Sequence, residues 1–177
     1  MNIANKLTLM RILLVPVFVL LMYMNFEGAR IAATIVFAFA SFTDFLDGYL
    51  ARKKHLVTNF GKFADPLADK ILVCAAMITL TALGDIPAWG VIIIISREFA
   101  VTGLRILAAS ENITIAASKL GKIKTISQLI SMIILLSNIT TLYKYGLYMF
   151  YFAILFTVIS GIDYFIKNKE VLDLKNI

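Results

Sequence analysis

The chain is poor in cysteine, histidine and acid. Cys74 is its single cysteine, so no internal disulfide can form, and its apolar neighbours mark it as a packing residue. His55 is the single histidine; it stands alone in a basic loop and is not read as catalytic. Heptads, low-complexity tracts and internal repeats are missing. The first apolar run has no small-residue cleavage pattern after it, so no secretory signal peptide is expected. Asp and Glu number 11 against 17 Lys and Arg, a net charge of +6. Such an excess can mean nucleic acid. In a chain this apolar, basic loops retained on the cytoplasmic side and facing anionic lipid explain it better, so no nucleic-acid partner is expected.

What is abundant is apolar. Hydrophobic residues make up 60% of the 177, and mean hydropathy is +0.88. Soluble domains lie nearer half apolar. The expectation is an all-α polytopic membrane protein, one domain over 1–177. Six transmembrane helices should follow a short amino-terminal interfacial segment. The spans read as 7–24, 31–52, 61 or 65 to about 83, 88–109, a fifth ending near 141, and 145–166. A polar connection over 111–124 leads into the fifth, and 167–177 is a polar tail. Arg11 can snorkel from the first span, and Pro16 should kink it. Gly84-Asp85-Ile-Pro87 reads as a tight turn, with Pro87 in the first turn of the fourth helix. Trp89 there reads as an interfacial anchor.

Six spans put both ends on one side. One set of loops carries Lys6, Arg11, Arg52, Lys53, Lys54, Lys62, Arg105, Lys119, Lys122, Lys124, Lys167 and Lys169; the other offers only Arg30 and Lys144. The first set is therefore expected to be cytoplasmic.

The densest polar pattern runs from Asp44 to Asp69. It reads Asp44-Phe-Leu-Asp47-Gly48-Tyr-Leu-Ala51-Arg52, then eight residues, then Gly61-Lys-Phe-Ala-Asp65-Pro-Leu-Ala-Asp69. On a helix, Asp44 and Asp47 share a face. Gly61, Asp65 and Asp69 step by four along another. Two antiparallel helices joined by the basic loop let the acidic faces meet. Carboxylates that close repel strongly in a low dielectric unless a cation neutralises them. All-oxygen ligands suit Mg²⁺ or Mn²⁺ first, with Ca²⁺ as a substitute or inhibitor. Asp44 stands roughly 12 Å along its helix from Arg52, so the acids lie within the cytoplasmic leaflet. That is where an enzyme acting on a lipid headgroup needs them.

The pattern D-x-x-D-G-x-x-A-R, eight residues, G-x-x-x-D-x-x-x-D resembles the signature of the CDP-alcohol phosphotransferase family at every defined position. The resemblance implies attack of an alcohol on the lipid-side phosphate of a CDP-linked lipid, with CMP leaving. It implies Asp44, Asp47 and Asp65 as ligands of two Mg²⁺ ions, and Asp69 as general base and possible fourth ligand. It implies contacts to the CDP-lipid from Asp47, Gly48, Ala51, Arg52 and Thr58, and from Asn5 and Thr8 near the amino terminus. Stretches 57–70, 86–89, 96–105 and 117–125 resemble the bacterial branch of that family whose acceptor is sn-glycerol 3-phosphate. That likeness implies CDP-diacylglycerol and glycerol 3-phosphate as substrates, phosphatidylglycerol phosphate and CMP as products, a bacterial cell membrane with the active site facing the cytoplasm, and a homodimer.

The acceptor needs cations. Arg105, Lys119 and Lys122 are the candidate ligands of its phosphate, with Lys124 in the same basic group. Retention charge is the other reading of each. Arg97 and Glu98 can pair within the bundle. Two alternatives stay open: another acceptor, such as inositol phosphate or a lipid, and a divalent-cation transporter. Transport sites usually lie near the midplane on broken helices.

Overall fold

The computed structural model describes the backbone of residues 3–54, 59–110, 113, 115–116 and 118–172. Side chains are described for 8–43, 68, 70–110, 113, 115–116 and 118–171. These residues form six α-helices and no strand: α1 Ile3–Tyr23, α2 Ala29–Lys54, α3 Asn59–Ala82, α4 Ala88–Ser110, α5 Lys119–Ser137 and α6 Thr140–Lys167. A 3-10 turn, Lys169–Leu172, follows. The helix α1 leans on both α2 and α3, α5 lies along α6, and α4 packs on α6 and α3.

Among the described residues, many large apolar side chains face outward and several polar ones are buried. Leu13, Leu20, Ile35, Ile92, Ile106 and Ile166 are among many large aliphatic side chains facing outward. Thr8, Arg11, Lys124, Gln128, Ser131 and Ser160 are buried. Lipid outside and polar partners inside produce that arrangement. Two of the helices, α5 and α6, are long and apolar enough to cross a membrane, with mean hydropathies of 1.4 and 1.8. One apolar core, including Phe18, Phe37, Leu72, Met77, Ile94 and Phe150, ties the helices together, and Cys74 packs against it as expected.

Local chemistry sets the helix ends. Gly84 supplies a left-handed backbone (φ 79°) after α3, and the Asp85 N–H returns to the Leu80 carbonyl at 2.8 Å. Pro87 stands just before α4. Ser118 caps α5, its hydroxyl accepting from the Gly121 N–H at 3.0 Å. Gly146 lets α6 close on α5: a Cβ there would lie 2.9 Å from both Ile134 Cγ2 and Leu135 Cδ2.

Several boundaries differ from expectation. The third helix starts at Asn59, before 61 or 65. The fifth ends at Ser137, not near 141, because Asn138 adopts a left-handed conformation (φ 52°) and stops it. The sixth starts at Thr140, which places Lys144 inside a helix and not in a loop.

The end of the bundle where α2 begins and α3 stops is cross-tied. The Arg30 guanidinium pairs with the Asp85 carboxylate and donates to the Leu135 carbonyl at 3.3 Å. The Tyr143 hydroxyl donates to the Asp85 carbonyl at 2.8 Å. Four segments meet there: the start of α2, the turn before α4, the end of α5 and the start of α6.

Candidate active site

The acidic positions lie at the other end of the bundle. Asp44 and Asp47 fall on the second half of α2, and Asp65 and Asp69 on the first half of α3. Only residues 55–58 separate the two helices. Chain connectivity therefore holds both pairs at one end. The side chains of Asn5, Asp44, Asp47, Ala51, Arg52, Asp65 and Asp69, and the surroundings of Gly48, lie outside the described residues, as do Thr58 and His55 altogether. The donor set fits a hard divalent ion: four carboxylates, two from each of two consecutive helices. Among the described residues, no group of three acidic, His or Cys side chains could hold a metal.

The helix α1 contributes from the side. Thr8 is buried on it, at the position expected to meet the CDP-lipid. One turn on, Arg11 is 1% exposed, and its Nε donates to the Ala40 carbonyl at 3.3 Å. The snorkelling expected of Arg11 is therefore corrected. Its side chain is buried within the bundle, where α2 offers the guanidinium an acceptor. Thr43 donates to that same carbonyl at 2.8 Å. The Ala40 carbonyl, one turn before Asp44, is thus tied to α1.

A charged cluster links the neighbouring helices. Arg97 and Glu98 of α4 pair at 3.2 Å, as the sequence suggested. Glu98 also pairs with Lys124 of α5, whose side chain is 3% exposed. Arg97 reaches α6, where its Nη2 donates to Ser160 Oγ at 3.1 Å. Lys124 is therefore not part of a surface basic group, which corrects the reading of it as a loop charge. It points inward because Glu98 is there to receive it. The spacing Lys124, Ser127, Gln128, Ser131 was the available signal, since all four are buried on one face of α5.

Removing one partner of a buried pair leaves the other charge stranded. Glu98→Ala should therefore destabilise the protein by about 3–5 kcal/mol. The double change Glu98→Gln with Lys124→Met should recover most of this. Thermal unfolding in detergent reads both; an unchanged melting temperature for Glu98→Ala would remove the cluster from the list of structural supports.

The three expected acceptor ligands divide. Arg105 is exposed on α4, and its Nε donates to the Tyr164 hydroxyl of α6 at 2.9 Å. Lys119, exposed in the first turn of α5, lines a groove of about 430 Å³ together with Ser118, Tyr164 and Lys167. Tyr164 thus lies between Arg105 and Lys119. Lys122 is exposed on the same helix, one turn after Lys119. Asp163, read as structural, pairs with Lys167 one turn on.

The family profile described as CDP-alcohol phosphatidyltransferase matches residues 1–159. The chain belongs to this family. It is similar to the CDP-diacylglycerol–glycerol-3-phosphate 3-phosphatidyltransferase of Bacillus subtilis (strain 168), at 47% identity over 99% of each chain. The protein of the same description from Rickettsia bellii (strain RML369-C) is 41% identical over 96% of each. A probable phosphatidylglycerophosphate synthase of Mycobacterium tuberculosis (strain ATCC 25618 / H37Rv) is 42% identical, covering 92% of this chain and 79% of its own. Family membership makes the acidic end of α2 and α3 the candidate active site.

Proposed function

We propose that the chain transfers the phosphatidyl group of CDP-diacylglycerol to sn-glycerol 3-phosphate, giving phosphatidylglycerol phosphate and CMP. The observation that carries this is the match of nearly the whole chain to relatives described by that reaction. The alcohol oxygen of glycerol 3-phosphate bonds to the lipid-side phosphorus. The bond from that phosphorus to the CMP oxygen breaks, and CMP leaves with the electron pair. Asp69 takes the alcohol's proton.

Asp44, Asp47 and Asp65 would hold Mg²⁺, two ions by the family resemblance, with Asp69 as a further ligand and Mn²⁺ as a substitute. When bound, the metal supplies charge neutralisation at the attacking and leaving oxygens. Asn5, Thr8, Asp47, Gly48, Ala51, Arg52 and Thr58 bind the CDP-lipid. Arg52 suits pyrophosphate because a guanidinium meets two oxygens at once, and Thr8 is supported by its burial on α1. The chain spans the bacterial cytoplasmic membrane six times, with its active site and both ends on the cytoplasmic side, and works as a homodimer. The charge distribution supports the orientation, and the resemblance alone supports the dimer.

The decisive experiment supplies purified protein with CDP-diacylglycerol and labelled acceptors: glycerol 3-phosphate, inositol phosphate and phosphatidylglycerol. Labelled phosphatidylglycerol phosphate from the first alone is expected. A product from another acceptor would reassign the branch, and metal flux into liposomes without CDP-lipid would favour a transporter.

Arg105, Lys119 and Lys122 hold the acceptor's phosphate. Arg105 is the first candidate because its planar fork matches phosphate oxygens. Arg105→Ala should raise the KM for glycerol 3-phosphate about tenfold or more, the scale of one charge-assisted bond, and Arg105→Lys should recover part of it. The KM for CDP-diacylglycerol should change far less. Equal changes in both constants would move the acceptor pocket elsewhere.

A further inference from the structure

Arg105 of α4 is held by Tyr164, a residue of α6 that is 59 positions away. Tyr164 lies beyond residue 159, where the family profile stops matching. The Bacillus subtilis relative aligns over 99% of this chain. The segment carrying Tyr164 thus lies past the matched profile and within the span aligned with that relative.

The geometry of the pair is specific. Tyr164 is 2% exposed, fixed in a cluster with Val101, Leu104, Ala108 and Val171. Its ring centroid lies 5.5 Å from the Arg105 guanidinium carbon, and its hydroxyl oxygen accepts from Arg105 Nε at 2.9 Å. The ring and the hydroxyl together restrain a side chain that otherwise samples many rotamers. The bond uses Nε, the one donor within the stem. Among the described residues, neither terminal nitrogen of Arg105 makes a hydrogen bond. A guanidinium oriented in this way presents its fork to an anion without first losing rotational freedom. A groove of about 430 Å³ lies beside the ring, lined by Tyr164, Ser118 and Lys119 but not by Arg105, and is of a size that takes a small ligand.

We propose that Tyr164 is a positioning residue that aims the Arg105 guanidinium at the acceptor's phosphate, and so a determinant of acceptor choice. This rests on the reading of Arg105 as an acceptor ligand. Tyr164 acts through Arg105 and touches no reacting atom. Its effect therefore falls on acceptor affinity and not on the chemical step.

The test is steady-state kinetics of the full-length protein, varying each substrate in turn. Tyr164→Phe keeps the ring and loses the hydroxyl. It should raise the KM for glycerol 3-phosphate roughly three- to tenfold, the scale of one hydrogen bond, with kcat and the KM for CDP-diacylglycerol nearly unchanged. Competition by inorganic phosphate against the acceptor should weaken by a similar factor. In an Arg105→Ala background the same change should add nothing. If both KM values rise, kcat falls and the melting temperature drops together, Tyr164 is a packing residue and the proposal is wrong. Independent, multiplying effects of the two substitutions would overturn it as well. Should Tyr164→Phe fail to accumulate in the membrane, Arg105→Lys carries the test, since it keeps the charge and lacks the Nε donor. An acceptor KM recovered only in part, still clearly above wild type, supports the proposal, and a wild-type KM overturns it. If Arg105→Ala itself leaves the acceptor KM unchanged, the acceptor reading of Arg105 fails. If Arg105→Ala raises it and Tyr164→Phe does not, only the positioning role fails.

Discussion

Asp69→Asn should lower kcat by about 10²–10⁴, the range for loss of a general base, while CDP-diacylglycerol still binds. The amide has nearly the shape of the carboxylate but cannot accept the acceptor's proton. The loss therefore appears in the chemical step and not in the ground-state complex. Equilibrium binding of CDP-diacylglycerol, measured beside single-turnover kinetics, separates the two. Normal turnover would show that Asp69 is not the base. A defect that excess Mg²⁺ repairs would make Asp69 a metal ligand first.

Asn at Asp44, Asp47 or Asp65 should act differently. Each change removes one anionic oxygen donor from a site whose charge is needed to draw a divalent ion out of water. Metal affinity and turnover should fall together, and raised Mg²⁺ should restore part of the activity. Chelation of the wild-type protein should abolish turnover, and added Mg²⁺ should return it. Full activity in a chelated, Mg²⁺-free preparation would end the metal reading.

Much of the site can be read from residue types and spacing alone. The three- and four-residue steps among Asp44, Asp47, Gly61, Asp65 and Asp69 imply helices, and those positions do fall on α2 and α3. A short connection brings their ends together whatever else the chain does. The destination of single cations is harder to read. Arg11 and Lys124 each stand near a helix end, where a long side chain can run outward to water or turn inward. The choice depends on a partner far along the chain. Lys124 meets Glu98, 26 residues away, and Arg11 meets the Ala40 carbonyl, 29 away. The Arg105–Tyr164 contact spans 59 residues and depends on how α4 crosses α6. Periodicity reports which face of a helix turns inward. It does not report which residue of another helix will be met there. The end of α5 shows the same limit on a local scale, since Asn138 stops that helix within an apolar stretch that hydropathy alone would have continued.

The cross-tie of Arg30, Asp85, Tyr143 and the Leu135 carbonyl bears on how the helices keep their register. Arg30 lies roughly 21 Å along α2 from Asp44, so the tie sits far from the acids. Spreading the helices at the tied end would break a charged pair and two further hydrogen bonds, while spreading them at the acidic end leaves all of these intact. The tie fixes the register of α2, α5 and α6 at the end away from the acids. The Arg97, Glu98 and Lys124 cluster joins α4, α5 and α6 a second time, so the bundle is held by two polar clasps and not by apolar packing alone.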